Sequence, residues 1–224
     1  MENELEKNPD FRFLEEEGVM KHFADLNIKL LSGRHIELVD YAVFLVLEDY
    51  FESFKNFYRQ LYKLDLVRKV FDQSVYFYLN FFDAGRGKLT DPSRYRPITE
   101  IQTIVGLMLL DMYFVRYFDP EKKVLWSAIR DEVQSGDQKV PLQRLLFPEL
   151  RVEYSEPEWQ SAEKRFRTTI QRFNDLGWVT QLSSMNEELC FVINPSIHRM
   201  AELYEAELQN FDAFSVKVKA GRVQ

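Results

Sequence analysis

An amphipathic helix running straight into a two-stranded hairpin occurs twice in this chain, near residues 49–80 and again near 158–194. At a fixed offset of 112 residues Phe54 falls on Phe166, Tyr58 on Ile170, Leu61 on Phe173, Leu64 on Leu176 and Val67 on Val179. The offset then grows by two, and Tyr76-Phe77-Tyr78-Leu79-Asn80 falls on Cys190-Phe191-Val192-Ile193-Asn194, as a longer turn in the second hairpin requires. The repeat restricts the chain to two small domains of one plan. Its 224 residues, 46% of them hydrophobic, supply a core for each.

The expected fold class is α+β and mostly helical: tandem winged-helix domains, each with a small antiparallel hairpin as its wing. A helix followed at once by a β-wing serves docking to nucleic acid or protein far more often than catalysis. Residues 1–14 read as a mobile acidic tail, 15–96 as the first domain, 97–212 as the second with an inserted segment at 135–157, and 213–224 as a basic tail holding Lys217, Lys219 and Arg222.

Within the first domain a helix is expected over Glu15–Leu31, stopped by Ser32-Gly33. A short helix follows over Tyr41–Leu47, then a long one over Glu48–Leu64, then a hairpin turning at Asp72-Gln73. In the second domain Pro97 opens an almost wholly apolar helix, Ile98–Phe118. Helices over Glu121–Gln134 and Trp159–Leu176 follow, with a wing at Trp178–Leu182 and Leu189–Asn194, and a last helix runs over Pro195–Asn210. The stretch 135–157 is either an insertion with its own packing or a binding element.

Catalytic chemistry finds little support. His22, His35 and His198 lie far apart with no ligand spacing around them, and Gly85-Arg86-Gly87-Lys88 lacks the spacing and the Ser/Thr of a phosphate loop. No metal or cofactor is expected, and the protein reads as a non-enzyme. Cys190, the single cysteine, sits in an apolar strand and reads as an inert buried thiol. The longest apolar run, Ile104–Leu110, is too short for a bilayer, so no membrane span is expected. With no secretory leader evident, a cytoplasmic location is expected.

Net charge is −7, but the first 17 residues account for −5 of it, so the body is nearly neutral and the clustering of bases decides what it binds. On the Trp159–Leu176 helix, Trp159, Ala162, Phe166, Ile170 and Phe173 share one face. The other carries Lys164, Arg165, Thr168, Gln171 and Arg172, a composition suited to DNA phosphates and equally that of a solvated face. Arg167, four residues after Glu163, reads as an intrahelical ion pair. Arg86, Lys88, Arg94 and Arg96 in the linker 83–97 are secondary DNA candidates. On the equivalent helix of the first domain Phe51, Phe54, Tyr58 and Tyr62 cover more than one stripe, which fits either a protein interface or a generous core. Leu142, Leu145, Leu146 and Phe147 form a second apolar candidate for protein contact.

The run Ser32-Gly33-Arg34-His35-Ile36, followed by Phe44, Tyr50, Phe57-Tyr58, Leu66-Val67-Arg68 and Tyr76-Phe77-Tyr78-Leu79, resembles the first winged-helix domain of the MukE/MksE family of bacterial condensin subunits. Glu163-Lys164, Arg167-Thr168-Thr169, Arg172 and Leu176-Gly177 resemble the matching helix of that family's second domain, and the likeness spans about residues 18–200. The resemblance implies a non-enzymatic, usually dimeric protein that binds a kleisin subunit (MksF/MukF-like). Through the kleisin it joins an SMC ATPase (MksB/MukB-like) acting on double-stranded DNA at the nucleoid. A compact chain without a long acidic C-terminal tail favours the MksE branch. The alternative is a free-standing dimeric winged-helix transcription regulator.

Overall fold

The computed structural model describes residues 11–82, 97–136, 139–183 and 188–205, with backbone alone at Pro141 and Leu145. The chain divides into two compact units, 1–96 and 97–224. Both are helical with small antiparallel sheets, an α+β architecture.

The first unit contains α1 (Glu17–Leu31), α2 (Tyr41–Asp49), α3 (Phe51–Phe57), β1 (Asp65–Phe71) and β2 (Ser74–Asn80). Helix α1 buries Val19, Leu26 and Leu30 and stops where Gly33 takes a positive φ of 88°, the left-handed conformation a glycine adopts without steric cost. The hairpin pairs Phe71 with Ser74, and Asp72 and Gln73 turn it with φ of 49° and 60°. These are the positive values of a turn whose twist matches the strands. Ile36 adds a single antiparallel bridge to Phe77, with N–H···O distances of 2.8 and 2.9 Å, so β2 is held from both sides.

The helix expected over 48–64 is interrupted. Tyr50 leaves the helical conformation, α3 begins at Phe51, and the helical stretch ends in a π-turn, Tyr58–Tyr62, closed by Lys63 at φ 57°. A π-turn inserts one residue into the helical count. Leu61, which the repeat matches to Phe173, is therefore turned out to 56% exposure while Phe173 is fully buried. Tyr62 packs inward instead, with its ring centroid 5.8 Å from Phe57 and 5.6 Å from Tyr58.

Residues 11–14, assigned on composition to the acidic tail, belong to this core. They lead into and form a turn of 3-10 helix, Arg12–Glu15, that seats Phe13 against Phe54 at 4.9 Å, while Phe11 meets Phe57 edge-on at 5.7 Å. Apolar aromatic area outweighs the surrounding acids here, because each buried ring is worth several methylenes of burial.

The second unit contains α4 (Glu100–Val115), β3 (Lys123–Leu125), α5 (Trp126–Ser135), α6 (Lys139–Leu146), α7 (Glu156–Asp175), β4 (Val179–Leu182), β5 (Cys190–Ile193) and α8 (Arg199–Leu203). Pro97 is not the first helical residue: Thr99 caps α4, its hydroxyl accepting from the Gln102 N–H while the Gln102 side chain accepts from the Thr99 N–H. Val105–Leu110 of α4 are all buried, with α6, α7 and α8 packed around the helix. Gly106 lets Met200 approach so closely that a Cβ there would lie 2.7 Å from its Cε. The expected helix 121–134 begins instead with β3, which pairs with β5 to give the sheet order β3-β5-β4. Val124 opposite Phe191 repeats Ile36 opposite Phe77, so each unit follows the order helix, short extended segment, helices, hairpin. The inserted stretch contains α6, whose Leu142 and Leu146, with Phe147, are buried in the unit. Cys190 is a buried free thiol.

Phe13→Ala is expected to lower the stability of the first unit by about 3 kcal/mol in urea unfolding, as for a buried ring, where a tail residue would change it by less than about 0.5 kcal/mol. At the start of α7 the Ser155 N–H and hydroxyl donate to the Glu158 carboxylate at 2.9 and 2.7 Å, and Arg151 adds a 3.0 Å ion pair. Its pKa is held below the ordinary 4.5, first by the Ser155 N–H and hydroxyl bonds. A depressed carboxyl contributes stability above its unfolded pKa and loses it as pH falls through the folded one. Glu158→Gln is therefore expected to lower the melting temperature at pH 7, with the difference disappearing in acid.

Candidate nucleic-acid interface

Helix α7 is a 20-residue amphipathic helix. It starts three residues earlier than its first tryptophan implies, because Ser155 and Glu158 form a capping box, a signal legible as Ser-x-x-Glu in the sequence. Trp159, Ala162, Phe166, Ile170 and Phe173 are buried, as is Thr169. Trp159 meets Phe147 edge-on at 5.0 Å, its ring lies 4.8 Å from the Arg130 guanidinium, and Arg130 in turn pairs with Glu156 at 3.0 Å. With that side fixed, the opposite side of α7 stays in solvent.

The helix is joined rigidly to its hairpin. Gly177 takes a φ of 78°, and its carbonyl accepts from the Asn194 amide at 2.8 Å and the Ser196 hydroxyl at 3.0 Å. Asn174 accepts from the Gln181 N–H at 3.0 Å, tying β4 to the last turn of the helix. Both Asn194 and Ser196 are buried, so these bonds are shielded from competing water.

The polar residues of α7 differ in what occupies them. Arg165 donates to the carbonyl of Leu146 at the end of α6, a non-local bond that no spacing along α7 reveals. The Thr168 hydroxyl donates back to the Lys164 carbonyl at 3.1 Å, and the Gln171 amide donates to Asp175 at 3.2 Å. Arg167 and Glu163 form the ion pair expected from their spacing, at 2.6 Å. The side chains of Lys164 and Arg172 make no hydrogen bond or ion pair among the described residues. They stand eight residues apart, about 12 Å along the axis. Two uncommitted cations on one side of a rigid helix suit two phosphates of one nucleic-acid backbone.

The other candidates fall elsewhere. Phe54 and Tyr58 are fully buried in the first unit, Phe51 and Tyr62 are partly buried against the same core, and Leu142, Leu146 and Phe147 are buried in the second. The aromatic breadth of α3 is taken up by Phe11, Phe13 and Phe23 of its own unit. The side chain of Leu145 and the bases Arg86, Lys88, Arg94, Arg96, Lys217, Lys219 and Arg222 lie outside the described residues. Residues not singled out from sequence are exposed at the end of α4: Phe114, Val115, Tyr117 and, at 94%, Phe118. Their signal was hidden because an apolar helix drawn to residue 118 assigns them to a core, whereas α4 stops at Val115.

No helix among the described residues is long and apolar enough to cross a membrane. No curated protein matches the chain. The family model for the condensin complex protein MksE matches residues 21–205, which takes in both units and the whole of α7. The chain belongs to the MksE family of condensin complex proteins.

Proposed function

We propose that this chain is the non-enzymatic, homodimeric subunit of an MksBEF-like SMC complex, in which it binds the kleisin and brings α7 to double-stranded DNA. Each unit is read as a winged helix, α3 and α7 being the helices that precede the wings. The supporting observation is the pair Lys164 and Arg172. They project from a helix whose opposite face is wholly packed and whose end is bonded to its hairpin, so both charges are presented without first being released from a partner. Arg165 supports the end of α6, and Thr168 and Gln171 flank the two cations as hydrogen-bonding groups.

Kleisin contact is assigned to the exposed end of α4, because Phe118 and its neighbours offer aromatic anchors of the kind that dominate protein interfaces. ATP hydrolysis is left to the SMC partner. The complex works in the cytoplasm at the nucleoid, in chromosome condensation and segregation or in plasmid restriction.

Lys164→Glu with Arg172→Glu is expected to weaken duplex binding by the assembled complex. It should also flatten the dependence of log K on log salt by about 2, since each lost phosphate contact removes about 0.9 from the slope. An unchanged slope in a salt titration removes α7 from the DNA interface. Phe118→Asp is expected to abolish co-purification with a co-expressed kleisin while DNA binding by the subunit itself is retained. Undiminished capture moves the kleisin off α4.

A further inference from the structure

The outer edge of β1 is open where the matching edge of the second unit is capped. Phe77 spends its N–H and C=O on Ile36, so Arg68, directly opposite Phe77, turns its own backbone groups away from β2. Strand alternation does the same for Val70. Among the described residues neither the N–H nor the C=O of Arg68 or Val70 has a partner, and both residues are exposed, Val70 at 57%. Leu66 continues the alternation but is fully buried, so the open edge begins after it. In the second unit Gln181 stands opposite Phe191 as Arg68 stands opposite Phe77, and there the outward N–H donates to the Asn174 side chain at 3.0 Å. The first hairpin lacks that cap. The Arg68 guanidinium is engaged by Glu48 of α2 at 3.1 Å rather than by the edge.

The chemistry of the edge identifies its occupant. Donors alternate with acceptors along it, and an unpaired edge of this kind is a template for another strand. A phosphate backbone accepts hydrogen bonds but donates none, so duplex DNA would leave the Arg68 and Val70 carbonyls unpaired. A second copy is disfavoured by charge: the antiparallel register that uses both residues of each copy sets Lys69 directly opposite Lys69. An extended segment of a different polypeptide satisfies donors and acceptors alike, and membership of a condensin complex supplies protein partners. The side chains along the edge set the character of that segment. Val70 lies on one face and Val67 and Phe71 on the other, so β-branched and aromatic residues fit beside them, while Arg68 and Lys69 exclude a basic segment.

We infer that the outer edge of β1, at Arg68 and Val70, binds an extended, non-basic segment of another protein subunit of the complex by taking it up as an added strand. The inference rests on the complex-subunit reading above and gives it a second contact. The test is residue-resolved hydrogen exchange of the full chain, alone and in the complex assembled with co-expressed kleisin and SMC subunits, with and without duplex DNA. In the isolated chain the Arg68 and Val70 amides are expected to exchange faster than those of Val67 and Lys69, which bond β2. In the assembled complex without DNA they are expected to slow by about 10-fold or more. Val70→Pro deletes a donor that the hairpin does not use, and is expected to abolish the slowing at Arg68 with little change in the melting curve. Val70→Ala keeps the donor and is expected to preserve the slowing. A chain that fails to assemble overturns the complex reading together with the edge. An assembled complex whose Arg68 and Val70 amides stay fast overturns the edge alone. So does slowing that appears only with DNA, slowing that rises with the concentration of the isolated chain, or an equal loss from Val70→Ala.

Discussion

In each unit a short extended segment ahead of the helices pairs with the second strand of the hairpin behind them: Ile36 with Phe77, and Val124 with Phe191. Much of each unit's arrangement depends on this pairing. It closes a chain loop of 41 residues in one case and 67 in the other, at an entropic cost that grows only slowly with length. Closing the loop presses the enclosed helices against the sheet, so α3 and α7 each lose one face to a core and keep the other for solvent. The larger second loop accommodates α6 without disturbing the plan, because α6 brings its own apolar residues, Leu142 and Leu146.

Closing the same frame twice produced two different surfaces. In the first unit the π-turn at Tyr58–Tyr62 ejects Leu61 and draws in Tyr62, and the aromatic wealth of α3 is met by Phe11, Phe13 and Phe23. What remains outside includes the uncapped edge of β1 at Arg68 and Val70. In the second unit α7 is regular, its inner face is filled by Trp159, Phe166 and Phe173, and what remains outside is cationic and uncommitted at Lys164 and Arg172. A strand edge and an unpaired cationic face suit different partners for physical reasons: one is gained by pairing backbone groups, the other by replacing counterions.

The features written in local chemistry were legible in the sequence. The amphipathic face of α7, the stops at Gly33 and Gly177, the turn at Asp72-Gln73 and the Glu163–Arg167 pair each depend on residues a few positions apart. Those that depend on distant partners were not. Strand β3 is three residues long and is a strand only because β5 lies beside it. The π-turn puts Tyr62 rather than Leu61 against Phe57 and Tyr58, an outcome that the spacing along the helix does not mark. Arg165 carries every local mark of a phosphate ligand, yet it is engaged by a carbonyl 19 residues away. Phe13 sits among acids, so composition placed it outside the core that its ring completes.

The DNA-facing side of α7 is tested most directly by site-specific photocrosslinking in the assembled complex on duplex DNA, with one photoreactive residue placed in turn at positions 164 and 172. DNA adducts are predicted from both positions. An absence of DNA adducts from both 164 and 172, in a complex that still binds the duplex, would contradict the assignment of α7 to DNA.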